Sequence, residues 1–175
     1  QRVIYLGSFS KIVAPGVRCG WCAFPQGVRS KMLEIRLSLE LCPPSLTQAA
    51  VFEFLRACDL AEHLQGIVRV YRPRRDALVQ ALEDSASSLG LRLSVPAGGF
   101  FLWGTCPGIR DMFAFARFAA LEEKVGVIPG RFFYPKAGDG EDTIRFAFAK
   151  VNPEQSAEGA RRFRKALEAF PRNGL

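Results

Sequence analysis

Histidine is almost missing from this chain: His63 is the single one in 175 residues. A histidine-based triad or metal cluster therefore needs partners from outside these residues. His63 itself falls within a helical pattern, which assigns it an ordinary surface or packing role. Cysteine is present five times, yet Cys19-Gly20-Trp21-Cys22 is a lone C-x-x-C with no second pair to complete a zinc site. A redox site of that spacing opens a helix, whose dipole lowers the first thiol. Here Cys22-Ala23-Phe24-Pro25 reads as a strand entering a turn, so reduced structural thiols are expected. No apolar run approaches the roughly 20 residues of a membrane helix, and no charged-then-apolar leader opens the sequence. The expectation is a cytoplasmic protein with no membrane partner. Gly98-Gly99 lacks the lysine and spacing of a phosphate-binding P-loop, and reads as a turn feeding a strand.

What is there suits a globular piece. Hydrophobic residues make up 49% of the chain, enough for a sizeable core over one domain or one and a half. The net charge of +7 raises the question of nucleic acid, with Arg161, Arg162, Arg164 and Lys165 as the densest cluster. Their setting argues against it. Asn152-Pro153-Glu154-Gln155 is a capping box with proline at the first helical position, and Ala160, Phe163, Leu167 and Phe170 follow at helical spacing. The basic residues fall largely on the opposite, solvated face, near the C-terminal end that the helix dipole favours for cations. No nucleic-acid partner is expected of this segment.

The most informative stretch is Ser8-Phe9-Ser10-Lys11, followed by Arg18, directly after the apolar run Val3-Ile4-Tyr5-Leu6-Gly7. The run reads as a buried strand, so Ser8, Ser10 and Lys11 sit at its exit, where α/β sheets bind ligands. Hydroxyls and a guanidinium suit a phosphate, while a lysine in an apolar setting becomes a nucleophile toward carbonyls. A buried amine beside an anion cradle suits pyridoxal phosphate.

YLGSFSKIVAPGVRCGW at the start, PAGGFFLW at 96–103, VIPGRFF at 127–133 and TIRFAFA at 143–149 together resemble the fold type I pyridoxal-phosphate aminotransferases. The resemblance is greatest to the branch holding the 2-aminoadipate and kynurenine transaminases and the C-terminal domain of MocR regulators. It implies an α/β fold: the last part of the large cofactor-binding domain in 1–73, ending in an interdomain helix, then a small C-terminal domain in 74–175. It implies that Lys11 is the catalytic Schiff-base lysine, that Ser8 and Arg18 hold the cofactor phosphate with Ser10 as a second ligand, and that Arg145 grips the substrate α-carboxylate. Substrates are then an amino acid and a 2-oxo acid, and the assembly a homodimer. Family members also carry, upstream of the lysine, a glycine-rich phosphate turn, a stacking aromatic, an asparagine, and an aspartate that pairs with the pyridine nitrogen. None can be located here. The expectation is the C-terminal half of a longer enzyme, inactive in isolation. The rival is the effector domain of a MocR-type regulator, which the missing upstream sequence would distinguish by a winged helix.

Periodicity supplies the coarse organisation. An amphipathic helix is expected over 26–41, stopped by Cys42-Pro43-Pro44, then a helix over 46–57 capped by Ser45. Asp59 with Glu62 forms a further capping box, opening a helical pattern to about Ser87 that Pro73 should kink or break. Beyond it come strands near 91–95 and 99–103, a helix at 110–124, a short strand at 126–128, a strand at 143–149 and the last helix. In the 143–149 strand, Ile144, Phe146 and Phe148 share one face and Arg145, Ala147 and Ala149 the other. Small neighbours leave Arg145 room for a ligand; pattern alone leaves equally open an arginine satisfied by glutamate or solvent. Phe132, Phe133 and Tyr134 either border a pocket or simply pack.

Overall fold

A computed structural model describes residues 2–171. Two antiparallel strands come first, β1 (Tyr5–Ser8) and β2 (Gly20–Ala23), followed by helices α1 (Arg29–Leu39) and α2 (Ser45–Ala57). The long helix α3 (Leu60–Ala86) leads to β3 (Arg92–Ser94), β4 (Phe101–Thr105), α4 (Met112–Leu121), β5 (Ile128–Pro129), β6 (Thr143–Ala147) and α5 (Pro153–Ala169). The chain divides into two compact units, 1–66 and 67–175, at a boundary inside α3.

The second unit is an antiparallel sheet, ordered β3-β4-β6-β5, covered on one face by helices. Alternation dictates the face: Leu102 and Gly104 of β4 and Ile144 and Phe146 of β6 are buried. They join Leu78 and Leu82 of α3, Met112 and Phe115 of α4, and Phe163 and Leu167 of α5 in one core. Burying each such side chain contributes about 1.5–3 kcal/mol. Phe163 stands edge-on to both Phe115 and Phe146, with ring centroids 5.6 and 5.0 Å apart, geometries that add to burial alone. The second unit is thus a helix-on-sheet α+β layer.

The first unit is different. Of the buried apolar residues only Val51 lies before Leu78. Tyr5 and Leu6 of β1 are 60% and 74% exposed, so the apolar opening run is a strand as expected but not a buried one. Its ladder is satisfied by β2 alone, and its apolar side chains meet no covering layer within these residues.

Local signals explain most boundaries. Asn152 Oδ1 accepts the Gln155 N–H at 2.8 Å while Gln155 Oε1 accepts the Asn152 N–H at 3.0 Å, the reciprocal box read from sequence. Asp59 Oδ1 accepts the N–H groups of Ala61 and Glu62. One expectation fails, and the break allowed for at Pro73 is absent. Ser45 is the first helical residue of α2 rather than its cap, because the cap position falls on Pro44, whose φ of −59° already leads into the helix. Helix α3 runs unbroken through Pro73. A proline removes only its own N–H, here the partner of the Arg69 carbonyl, and the turns on either side remain hydrogen-bonded. Downstream of it, Arg74 donates to the Ala149 carbonyl, and Arg75 Nη1 to the Pro96 and Ala97 carbonyls at 3.0 and 3.3 Å. These ties fix the entry to β4 and the exit from β6. No helix among the described residues is long and apolar enough to cross a membrane.

Candidate active site

The residues singled out in the sequence fall into two constellations, one in each unit. In the first, Ser8 at the end of β1 faces Gly20 at the start of β2, and the Phe9 N–H extends the pairing to the Cys19 carbonyl at 3.0 Å. The loop between is therefore closed at its base. Gly7 permits this packing: a Cβ there would lie 2.2 Å from Trp21, whose ring stacks on Tyr5. Ser8 caps the first turn, its Oγ accepting the Ser10 N–H at 3.2 Å, and the 3-10 turn Phe9–Lys11 presents Lys11. A second turn, Pro15–Val17, leads to Arg18, held in the left-handed region at φ 46°. That conformation costs a non-glycine residue about 1–2 kcal/mol and persists where the surroundings impose it. Arg18 Nη1 donates back to the Pro15 carbonyl at 3.5 Å.

Sequence reasoning missed one partner of this loop. His63 Nε2 donates to the Ile12 carbonyl at 2.8 Å, while its ring stands edge-on to Phe54. The solitary histidine thus fastens the residue after Lys11 to the start of α3; a contact across 51 positions leaves no local signature.

The donor set suits a phosphate monoester. The loop offers two hydroxyls, an ammonium and a guanidinium, and Glu34 is the first acidic residue of the whole chain. Lys11 itself is exposed, which corrects the buried amine expected from the apolar approach. Cys19 and Cys22 are half-buried, no disulfide joins any of the described cysteines, and no group of three or more metal-ligating side chains exists among the described residues.

The second constellation surrounds Arg145, on the face of the sheet opposite the core. Its cross-strand partner is Trp103, and Phe101 is its diagonal neighbour on β4. The guanidinium carbon lies 4.0 Å from the centre of the Phe101 ring and 4.3 Å from that of Phe133. Phe133 in turn stands edge-on to Trp103 at 5.7 Å. Among the described residues no carboxylate pairs with Arg145, so of the alternatives open in the sequence, satisfaction by glutamate is absent. The arginine ring-packing was not legible beforehand, because Phe101 and Phe133 are 32 positions apart and belong to different elements.

Three arginines of the basic stretch of α5 pair within their own helix, and Arg162 and Arg164 also donate to the Lys124 and Ser85 carbonyls. Arg161 and Arg162 both bind Glu158, and Arg164 binds Glu168.

An antiparallel sheet backed by three helices, preceded by a cation-rich hairpin loop with lysine beside serine, defines the C-terminal portion of a fold type I pyridoxal-phosphate transferase. The chain belongs to the aminotransferase class I and II family, whose model matches residues 1–163. It is 36% identical to the 2-aminoadipate transaminase of Thermus thermophilus, over 96% of this chain and 41% of that protein. It superposes with a TM-score of 0.88 and 35% identity on the Pyrococcus horikoshii kynurenine aminotransferase solved with PMP and kynurenine, over 95% of this chain and 41% of that one. It is also 34% identical to the HTH-type transcriptional regulator YisV of Bacillus subtilis, over 92% of this chain and 34% of that protein. The chain thus spans about two-fifths of the enzymes it matches. The cofactor of the family is pyridoxal phosphate.

Proposed function

We propose that these residues form the C-terminal part of a pyridoxal-phosphate-dependent aminotransferase, which moves an amino group between an α-amino acid and a 2-oxo acid. The observation that carries this reading is the hairpin loop, which gathers Ser8, Ser10, Lys11 and Arg18 between paired strands with no acid nearby in sequence. Pyridoxal phosphate, when bound, supplies an electron sink for charge developing at the substrate Cα. The hydroxyls of Ser8 and Ser10 and the fork of Arg18 bind the phosphate, the last as a charge-assisted donor. Lys11 Nζ would hold the cofactor and, once displaced by the substrate amine, would move the proton at the substrate Cα. Arg145 takes the α-carboxylate edge-on, as a bidentate pair. Residues 1–73 belong to the large domain and 74–175 to the small one, with α3 joining them. The partner that balances the pyridine nitrogen has no counterpart in these residues, so we assign activity to a longer polypeptide and none to the segment alone. A homodimer in the cytoplasm completes the assignment; five cysteines with no disulfide among them suit a reducing compartment.

The test is the native polypeptide expressed with pyridoxal phosphate, beside Lys11→Ala and Arg145→Lys versions. The expected result is a visible cofactor band that Lys11→Ala abolishes, and a KM for amino acids that Arg145→Lys raises at least tenfold. Equal bands in wild type and Lys11→Ala contradict the reading of the loop, and an unchanged KM contradicts that of Arg145.

A second reading is favoured by one observation, the 34% identity to a transcriptional regulator. In that case the same loop and arginine sense the cofactor or an amine, and a winged helix lies upstream. Transamination by the native polypeptide excludes this alternative.

A further inference from the structure

Arg145 is held in an unusual way for an arginine on a sheet face. Two rings approach its guanidinium carbon, Phe101 at 4.0 Å and Phe133 at 4.3 Å. Both distances are within cation–π range. A flat cation stacked on rings keeps its edge for hydrogen bonding, because its N–H donors all lie in that plane. Neither ring depends on Arg145 for its place. Phe101 lies within β4, paired opposite Ala147, and touches Phe100; Phe133 ends the 3-10 turn Gly130–Phe133 and packs on Trp103. Trp103 also meets Tyr134, so the aromatic wall is continued beyond the clamp. The Arg145 side chain thus sits in a preformed slot without any side-chain acceptor among the described residues.

We propose that Phe101 and Phe133 are positioning residues that fix the plane of Arg145, so that its edge meets a planar carboxylate without reorientation. The proposal rests on the reading of Arg145 as the carboxylate site. Arginine is rich in rotamers, and a clamp that removes this freedom beforehand lowers the ordering cost of binding. Because the carboxylate is held equally before and during the reaction, the effect falls on KM and leaves kcat. Rings near the cation also shift its N–H resonances upfield, a signature that no purely structural role requires.

The experiment has two arms. In the 175-residue chain, the Arg145 Nε–H signal is assigned by its loss in Arg145→Lys. It is expected upfield of the other arginines and moves toward them in Phe101→Leu and in Phe133→Leu. In the native polypeptide, either leucine variant raises the KM for amino acids about tenfold with kcat within about twofold, and Phe101→Tyr or Phe133→Tyr restores it. Phe101 and Phe133 are 39% and 48% exposed, so neither leucine opens a buried cavity. If Arg145→Lys raises KM and the leucine variants do not, the clamp is wrong and the carboxylate site stands. If Arg145→Lys leaves KM unchanged, the underlying reading fails. A fall in kcat matched by lost thermal stability, with no shift of the Nε–H signal, overturns the positioning role.

Discussion

Adding one methyl group at Gly130 tests whether the turn after β5 is as tightly fitted as its geometry says. A Cβ there would lie 1.9 Å from Thr143 Oγ1, 2.7 Å from Thr143 Cβ and 2.8 Å from Trp103 Cζ2. Rotating Thr143 relieves the first contact but breaks its hydrogen bond to the Gly140 carbonyl, 2.6 Å long, at a residue only 7% exposed. An unpaired buried hydroxyl costs about 1–3 kcal/mol. The contact with Thr143 Cβ survives any rotation, so β6 or the turn must also move, and overpacking of this kind costs about 1–3 kcal/mol. Gly130→Ala should therefore destabilise the second unit by about 3 kcal/mol, lowering its melting temperature by roughly 10 °C or more. The assay is thermal unfolding followed by near-ultraviolet circular dichroism, which reports Trp103 together with Trp21. Gly98→Ala is the control, since a Cβ there meets nothing within 4 Å. If the two variants melt together with the wild type, the packing argument is refuted. If Gly130→Ala melts early, the displaced Trp103 also loosens Phe133, and the Arg145 signal should move with it.

Three further outcomes are expected. The hydrogen bonds from Arg161, and then those from Arg162, hold the Glu158 carboxyl well below its ordinary 4.5, at about 2. Its contribution to stability is accordingly complete above pH 4.5 and is lost as pH falls through about 2. Carboxyl-carbon NMR should find that midpoint, and Arg161→Gln should raise it; a wild-type midpoint near 4.5 contradicts the pairing. A truncated chain of residues 67–175 should melt cooperatively, because every buried apolar residue but Val51 lies within it; a non-cooperative melt shows that the first unit supplies stability after all. His63→Ala should loosen the loop at Ile12, visible as faster amide hydrogen exchange at Ile12 and Val13, and unchanged exchange rules out that tether.

The elements were legible because their signals are local. Periodicity gave the alternating face of β6, and the reciprocal pair Asn152 and Gln155 gave the start of α5 within one residue. Pro44 misled because it was read through its missing N–H group while it occupies the cap of α2, and at Pro73 the neighbouring turns carry the helix without a break. Lys11, Ser8, Ser10 and Arg18 were legible as a phosphate-favouring loop, but burial was not, since it depends on what covers β1. The hydrogen bond from His63 to Ile12 and the rings around Arg145 join distant positions through tertiary geometry, which single-sequence spacing does not encode.

The assignment of Lys11 is tested most directly by borohydride reduction of the native polypeptide with pyridoxal phosphate, followed by proteolysis and mass mapping. The account predicts one pyridoxyl-modified peptide, carrying Lys11 between Ser10 and Ile12. A tag on another lysine, or none at all, contradicts it.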